Sequence, residues 1–401
     1  MDSMTFNGLS PLLAYTAVGL AVLILLIAVL VGYRALLRAG SGKGLIPPLD
    51  EETGSDTLPS VTVVLYSKVD DDRLYETLSR IYEQDYPSFS VVVVCDASFE
   101  HTEELADRFS TEFSGIHVTF IPPESHNLSR RKLANTIGVK AAEGEVVVTT
   151  VANIEIPSSR WLAGLAAPFA DREVEVVLGY SHIDYSEMKS IWRWYREFDD
   201  TLVASRWIGT ALEGNPYRGD GYNLAFRRDT FFRNKGYART INLHYGDDDL
   251  FVDEIANEDN TRVVIDPDTI LRTEWGDSSS RVWSLNKDRY DFTARWLPRA
   301  PFLKAGSVSC AQWLVTLLSA AAVTAGILSG DIAAAIIGAL PWLALVGADI
   351  AVYRRAAARL GSVRLWWAVY PFMMARPAVN FFFRMRHRRN SVKNYTWQRH
   401  K

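Results

Sequence analysis

Three consecutive carboxylates, Asp247, Asp248 and Asp249, follow Gly246 at the expected start of a helix over 250–257. Carboxylates at that place complement the helix dipole. Crowded together they also repel one another, which raises the pKa of one of them and suits it to general-base work. A cationic run, Arg130-Arg131-Lys132, opens another expected helix, whose N-terminal amides favour an anion such as a diphosphate. Asp96 closes a valine-rich run, where its carboxylate can accept a hydrogen bond from a ligand N–H. In the segment 283–296, Arg289 can pair with a phosphate and Tyr290 can offer a ring face to a ligand. Together these residue types suit proton abstraction beside a bound polyanion.

Positioning such groups requires a rigid frame, and residues 60–150 supply the pattern of one. The runs VTVVLYS (61–67) and SVVVVC (90–95) are β-branched and uninterrupted, as strands buried on both faces are. Between them, 71–84 has helical spacing at Leu74, Leu78, Ile81 and Tyr82 and ends at Asp85-Tyr86-Pro87. Helix 101–110, strand 116–121, helix 129–142 and strand 145–150 continue the alternation. Such repetition predicts an α/β domain with a parallel, doubly wound sheet, whose ligands sit beyond the carboxyl ends of the strands. Asp96 and the turn 151–155 occupy two of those ends.

The ends of the chain are of another kind. Residues 11–33 contain no charge and as a helix would be roughly 35 Å long, enough to cross a hydrocarbon core of about 30 Å. No Lys or Arg precedes this run, which argues against a cleaved signal peptide. Arg34, Arg38 and Lys43 follow it, so the charge bias places the next segment in the cytoplasm. Residues 306–329 and 332–353, separated by Ser329-Gly330-Asp331, predict a transmembrane hairpin, with Asp349 near enough to the interface to be hydrated. Residues 365–383 are rich in Trp and Phe but interrupted by Arg376-Pro377, and are expected to lie on the inner leaflet. The expected organisation is a transmembrane helix over 1–38, a linker over 39–59, a cytoplasmic domain over 60–300, a hairpin over 301–353, and an interfacial helix with a basic tail over 354–401. Residues 301–401 carry 13 Lys/Arg against 2 Asp/Glu and residues 1–50 carry 3 against 2, which leaves the middle at about −16 within an overall charge of −4. An acidic domain repels a polyphosphate backbone and excludes nucleic acid as a partner, whereas the basic end suits anionic membrane lipids. With only Cys95 and Cys310, a disulfide framework is not expected.

Five stretches carry a family resemblance: VTVVLYSKVDD (61–71), QDYPSFSVVVVCDAS (84–98), SRRKLANTIGVKAAEGEVVVTT (129–150), GDGYNLAFRRDTFF (219–232) and GDDDLF (246–251). In their order they resemble the inverting family-2 glycosyltransferases of GT-A fold, and especially bacterial membrane-anchored members, over about residues 60–300. The resemblance implies a nucleotide-sugar donor, a lipid-linked or glycan acceptor, polysaccharide biosynthesis, and a bacterial inner membrane with the catalytic domain in the cytoplasm. It implies that Asp96 holds a uracil-type base, with Ser67, Arg130, Lys132, Asn153 and Arg289 also on the donor. It assigns the general base to Asp247 or Asp248, local alignment favouring Asp247, and the acceptor to Asn223, Asp249 and Tyr290. The family's Gln-x-x-Arg-Trp signature reads Asn286-Lys287-Asp288-Arg289-Tyr290 here.

One departure bears on cofactors. Where the family carries a metal-binding Asp-x-Asp, this chain reads Val151-Ala152-Asn153, with Trp161 fixing the register. Mg²⁺ or Mn²⁺ on a diphosphate wants carboxylate oxygen. Either Asn153 and Glu155 hold the ion, or Arg130, Arg131, Lys132 and Arg289 neutralise the diphosphate without one, or donor binding has been lost. The last case would leave a membrane scaffold for glycan assembly rather than an enzyme.

Overall fold

Valine repeats decide the centre of the molecule. In the computed structural model, which describes residues 3–41, 58–68, 73–122, 125, 128–274 and 279–389, three such runs, with the edge strand β3 (Ile116–Phe120), form parallel strands: β1 (Val61–Lys68), β2 (Phe89–Asp96) and β4 (Val146–Val151). Most of the expected linker (42–57) and the end of the basic tail (390–401) lie outside the described residues. Further along come β5 (Val176–Leu178), β6 (Ser181–Asp184), β7 (Leu224–Arg227), β8 (Thr261–Val263) and β9 (Leu271–Glu274). The seven-stranded sheet has the order β3-β2-β1-β4-β7-β5-β8, and β6 pairs with β9 beside it. Only β7 runs against its neighbours, so the sheet is mixed and mainly parallel.

The helices are α1 (Ser3–Ile27), α2 (Arg34–Ser41), α3 (Leu74–Tyr82), α4 (Phe99–Glu112), α5 (Arg130–Ala141), α6 (Trp161–Ala166), α7 (Arg193–Ala211), α8 (Arg228–Arg233), α9 (Asp249–Ile255), α10 (Ser279–Thr293), α11 (Arg299–Leu328), α12 (Ile332–Arg359) and α13 (Val369–Arg389). Successive strand residues face opposite sides. Val63, Leu65, Val91 and Val93 thus pack with Leu78, Ile81 and Phe109 on one face, while Val64, Val92 and Val147 pack with Ala134, Val139 and Phe251 on the other. Both faces are covered, which is why no polar alternation was visible in the strands. Register sets the working edge: Ser67 pairs with Cys95, Lys68 with Asp96 and Tyr66 with Val151. Three strand ends therefore lie side by side, flanking the point where the strand order reverses.

Among the described residues, three helical stretches are long and apolar enough to cross a membrane: Pro11–Gly32, Arg299–Leu328 and Ile332–Arg359. The α11–α12 turn falls at Ser329-Gly330-Asp331, and Asp331 caps α12 by accepting from the Ala334 amide at 2.9 Å. The anchor is joined to the globular part without a spacer at α2, which crosses α7 at Gly209. A Cβ on Gly209 would lie 1.8 Å from the Ala35 carbonyl oxygen, so only glycine permits this crossing.

Two expectations about this region need correction. Asp349 is not hydrated: it is 1% exposed and accepts from Tyr33 Oη and, at 2.8 Å, from Gln312 Nε2. Apolar surroundings make any protein partner preferable to none, so one carboxylate ties three helical segments together. Nor does Arg376-Pro377 interrupt its segment. The helix α13 continues through Pro377, and Arg376 turns inward against Asp199 of α7 at 2.8 Å.

Candidate active site

Burying three adjacent carboxylates is costly unless each finds a cation. Asp247, Asp248 and Asp249 are 3%, 8% and 2% exposed, and each takes an arginine from a different part of the chain. Asp247 meets Arg131 Nε of α5 at 2.8 Å. Asp248 meets Arg289 Nη2 of α10 at 2.7 Å, and the same nitrogen lies 3.4 Å from Asp247. Asp249 lies 3.6 Å from Arg218 Nη2 and accepts from Thr293 Oγ1. Asp248 is also the N-cap of α9, its Oδ1 accepting from the Asp249 amide at 2.8 Å.

This alternation drives the neighbouring carboxyls apart. Burial pushes Asp248 up, but the Arg289 guanidinium and the Asp249 amide outweigh it and hold the group below the usual carboxylate range. Burial and the adjacent Asp248 charge push Asp249 up to about 7. One carboxylate is thus kept ionised beside another that holds a proton near neutrality, as in sites that divide acid and base roles between two groups.

A cavity of about 50 Å³ opens on this cluster. Its lining includes Asp248, Asn286, Arg289 and Tyr290, together with Asp200 and Trp207 of α7. Asp247 is not among the lining residues. Access depends on Gly221: a Cβ there would stand 3.1 Å from Asp248 Cβ and 3.6 Å from Asp247 Oδ2. Gly221 beside Asp220 is the sequence signal for this close approach.

The other expected site residues divide into three groups. Asp96 and Arg130 meet at the sheet edge, where Tyr66 Oη also donates to Asp96 at 2.8 Å. Ser67 is buried one position before the end of β1. Tyr290 lies with its ring 4.1 Å from the Arg218 guanidinium carbon. Two residues are occupied elsewhere. Lys132 is fully buried and spends its three N–H donors on the carbonyls of Thr240, Leu243 and Tyr245, at 2.6, 3.3 and 2.8 Å. Asn223 accepts from Trp161 Nε1 at 3.0 Å and donates to the carbonyls of Tyr180 and Thr269 at 2.9 and 2.8 Å. Both therefore hold loops in place, with no donor left for a phosphate or a sugar. Lys132→Met is expected to cost stability, about 1–3 kcal/mol from each stranded carbonyl it leaves, seen as a lower thermal midpoint. An unchanged midpoint with a selective loss of nucleotide affinity would instead put Lys132 on the donor.

The turn after β4 offers a divalent ion few ligands. Val151 is 5% exposed and Ala152 fully buried, Asn153 offers only a neutral carbonyl, and Glu155 is exposed with its backbone paired to Arg272. Among the described residues no group of three His, Cys, Asp or Glu side chains is arranged to hold an ion. A hard cation wants several carboxylate oxygens, and this chain does not gather them here.

Residues 59–229 match the family model described as "Glycosyltransferase like family 2". Over that segment the chain carries a family-2-type glycosyltransferase domain. No curated protein matches the chain. Among solved structures, it is similar to the mannosyltransferase PcManGT from Pyrobaculum calidifontis in complex with GDP-Man and Mn²⁺, at 21% identity and a TM-score of 0.53, covering 93% of this chain and 99% of that one. It is also similar to TarS 1-349 of S. aureus in complex with UDP-GlcNAc, at 16% identity and a TM-score of 0.41, covering 82% and 92%. The first likeness establishes a shared fold.

Proposed function

We propose that this chain, a glycosyltransferase by its family-2-type domain, moves a sugar with inversion from a nucleoside-diphosphate donor to a lipid-linked or polysaccharide acceptor at the inner leaflet of a bacterial membrane. The observation that carries the reading is the Asp248–Arg289 pair at the mouth of a cavity on the working edge of the sheet. An ionised carboxylate beside a guanidinium supplies the two things an inverting displacement needs. Asp248 takes the proton of an acceptor hydroxyl while that oxygen attacks the anomeric carbon, and the bond to the diphosphate oxygen breaks on the opposite face. The charge released onto the diphosphate is met by fixed cations, for which Arg289, Arg131 and Arg130 are the candidates. Asp96 and Ser67, at neighbouring strand ends, receive the nucleoside.

Membrane placement supports the acceptor assignment. Trp366, Trp367, Phe381 and Phe382 are more than half exposed beside the basic residues of α13 and its approach, the composition of a surface at the lipid headgroups. Such a composition suits the leaflet that a lipid-linked acceptor would occupy.

Purified full-length protein with a panel of nucleotide sugars tests the reading by release of nucleoside diphosphate. Because the turn after β4 gathers no carboxylates, turnover in EDTA is expected to stay within about twofold of that with Mn²⁺. Loss of more than tenfold in EDTA would mean that a metal, and not the arginine set, carries the diphosphate charge. The same turn favours a second reading, a scaffold without turnover. That reading requires no release with any donor and a cellular phenotype indifferent to Asp248→Ala.

A further inference from the structure

The cavity beside Asp248 has a wall that the catalytic assignment leaves unused. Asp200 of α7 lines it, together with Asp220, and Arg289 is the only cation among the lining residues. That guanidinium is already engaged by Asp247 and Asp248. Asp220 is committed to the fold, accepting from the Ser181 amide and hydroxyl at 2.7 and 2.5 Å and from the Tyr222 amide at 3.0 Å. Asp200 is different. One of its oxygens accepts from Tyr185 Oη, and the other has no partner among the described residues. Around it stand Tyr180, Trp207, Tyr222 and Tyr290, with Val203 and Ala204 as an aliphatic floor.

We infer that this cavity is the acceptor subsite, that it takes an uncharged, hydroxyl-bearing sugar ring rather than a phosphorylated one, and that Asp200 is the residue that selects it. The inference rests on the glycosyltransferase reading and deepens it. Three carboxyl groups beside one guanidinium that is committed to the base and to the leaving diphosphate offer an acceptor phosphate no compensation, and an uncompensated buried anion is among the costliest things a protein can hold. Burial, with the nearby Asp199 charge, pushes Asp200 itself up to about 8. A hydroxyl has no such difficulty, since it can donate to a carboxylate or accept from a carboxylic acid. Aromatic walls suit the C–H faces of a sugar. A water needs roughly 10–15 Å³ of this kind of space, so about 50 Å³ admits the leading hydroxyls of one ring and not an oligosaccharide. Any phosphate of a lipid carrier must therefore stay outside, toward the membrane side of α7.

The test uses the full chain in a non-sugar detergent, a nucleotide sugar that it hydrolyses, and two probes: octyl glycosides of glucose, galactose and mannose, and their 6-phosphates. At least one neutral glycoside is expected to exceed its 6-phosphate tenfold or more in kcat/KM. Asp200→Ala is expected to raise the KM for that acceptor about tenfold, the loss of roughly one good hydrogen bond, with kcat moving less than threefold. Asp200→Asn, which keeps the shape and one acceptor oxygen, should recover most of the loss. Affinity for the nucleoside diphosphate reports folding. If Asp200→Ala loses it, the near-isosteric Asp200→Leu is read in its place, and a KM raised less than threefold there counts against the role. Phosphorylated probes used as well as neutral ones, or an unchanged KM in a folded Asp200→Ala, overturns the inference. So does a protein that hydrolyses its donor yet glycosylates no neutral probe. A chain that neither hydrolyses nor transfers from any nucleotide sugar removes the glycosyltransferase reading itself, and this inference with it.

Discussion

Replacing Asp248 by Asn is expected to lower kcat by about 10²–10⁴-fold, the usual contribution of a positioned general base, while donor affinity changes little. Asparagine keeps the N-cap hydrogen bond to the Asp249 amide, so the fold should survive. Asp247 gives the comparison. It lies behind Asp248 against Arg131 and is not among the cavity-lining residues, so Asp247→Asn should act mainly on the KM for the donor. If Asp247→Asn destroys kcat and Asp248→Asn spares it, the base is Asp247, as the alignment of the sequence favoured. The pH profile adds an independent check. Because Asp248 is held below the usual carboxylate range, activity that needs its ionised form is lost only as pH falls through that depressed value. The acid limb should therefore lie below the ordinary carboxylate pKa of about 4. Removing the guanidinium in Arg289→Gln should move the limb upward, whatever it does to the maximum rate. A limb that stays in place would mean that Arg289 does not set the charge on the base.

Asp199→Ala is expected to be the most damaging substitution outside the cavity. Asp199 is fully buried, with Lys287 Nζ of α10 at 2.5 Å and Arg376 Nε of α13 at 2.8 Å. Removing it strands two buried cations, for which roughly 3–5 kcal/mol is usual, and a thermal midpoint lower by roughly 10 °C should follow. Burial pushes the Asp199 carboxyl up, but Lys287 and Arg376 outweigh it, so its folded pKa is depressed. The linkage sign is then fixed: the stabilisation is present above the unfolded pKa of about 4 and is lost as pH falls through the folded value. Replacing all three partners with apolar residues of similar volume should restore much of the midpoint, because a buried ion network is costly mainly when broken. A midpoint unmoved by Asp199→Ala would show that α13 is held by its apolar contacts alone. The network also bears on catalysis, since Lys287 precedes Arg289 by two residues on α10. The helix that carries the base's partner is thereby pinned to α13.

The sequence by itself determined the central sheet, the three membrane-length helices and the resemblance of the central segment to family-2 glycosyltransferases. These are properties of local pattern. A run such as Val91–Val94 cannot be satisfied except between two covered faces, and an uncharged run as long as 11–33 cannot be satisfied in water. It also placed the acidic triplet at a helix start and noticed that Val151-Ala152 cannot ligate an ion. It could not say how polar side chains are spent, because that depends on what lies across the fold. Lys132 and Asn223 looked available and are used up by carbonyls, and by the Trp161 indole, from distant segments. Asp349 and Arg376 looked like liabilities near the lipid and are paired with residues 316 and 177 positions away. Asp200 drew no notice at all, since a single aspartate on a helix is ordinary until tertiary packing sets it beside Tyr290 and Asp248. Secondary structure and membrane length follow from periodicities of a few residues. The chemistry of this site depends on which buried charge meets which, and only the closed fold decides that.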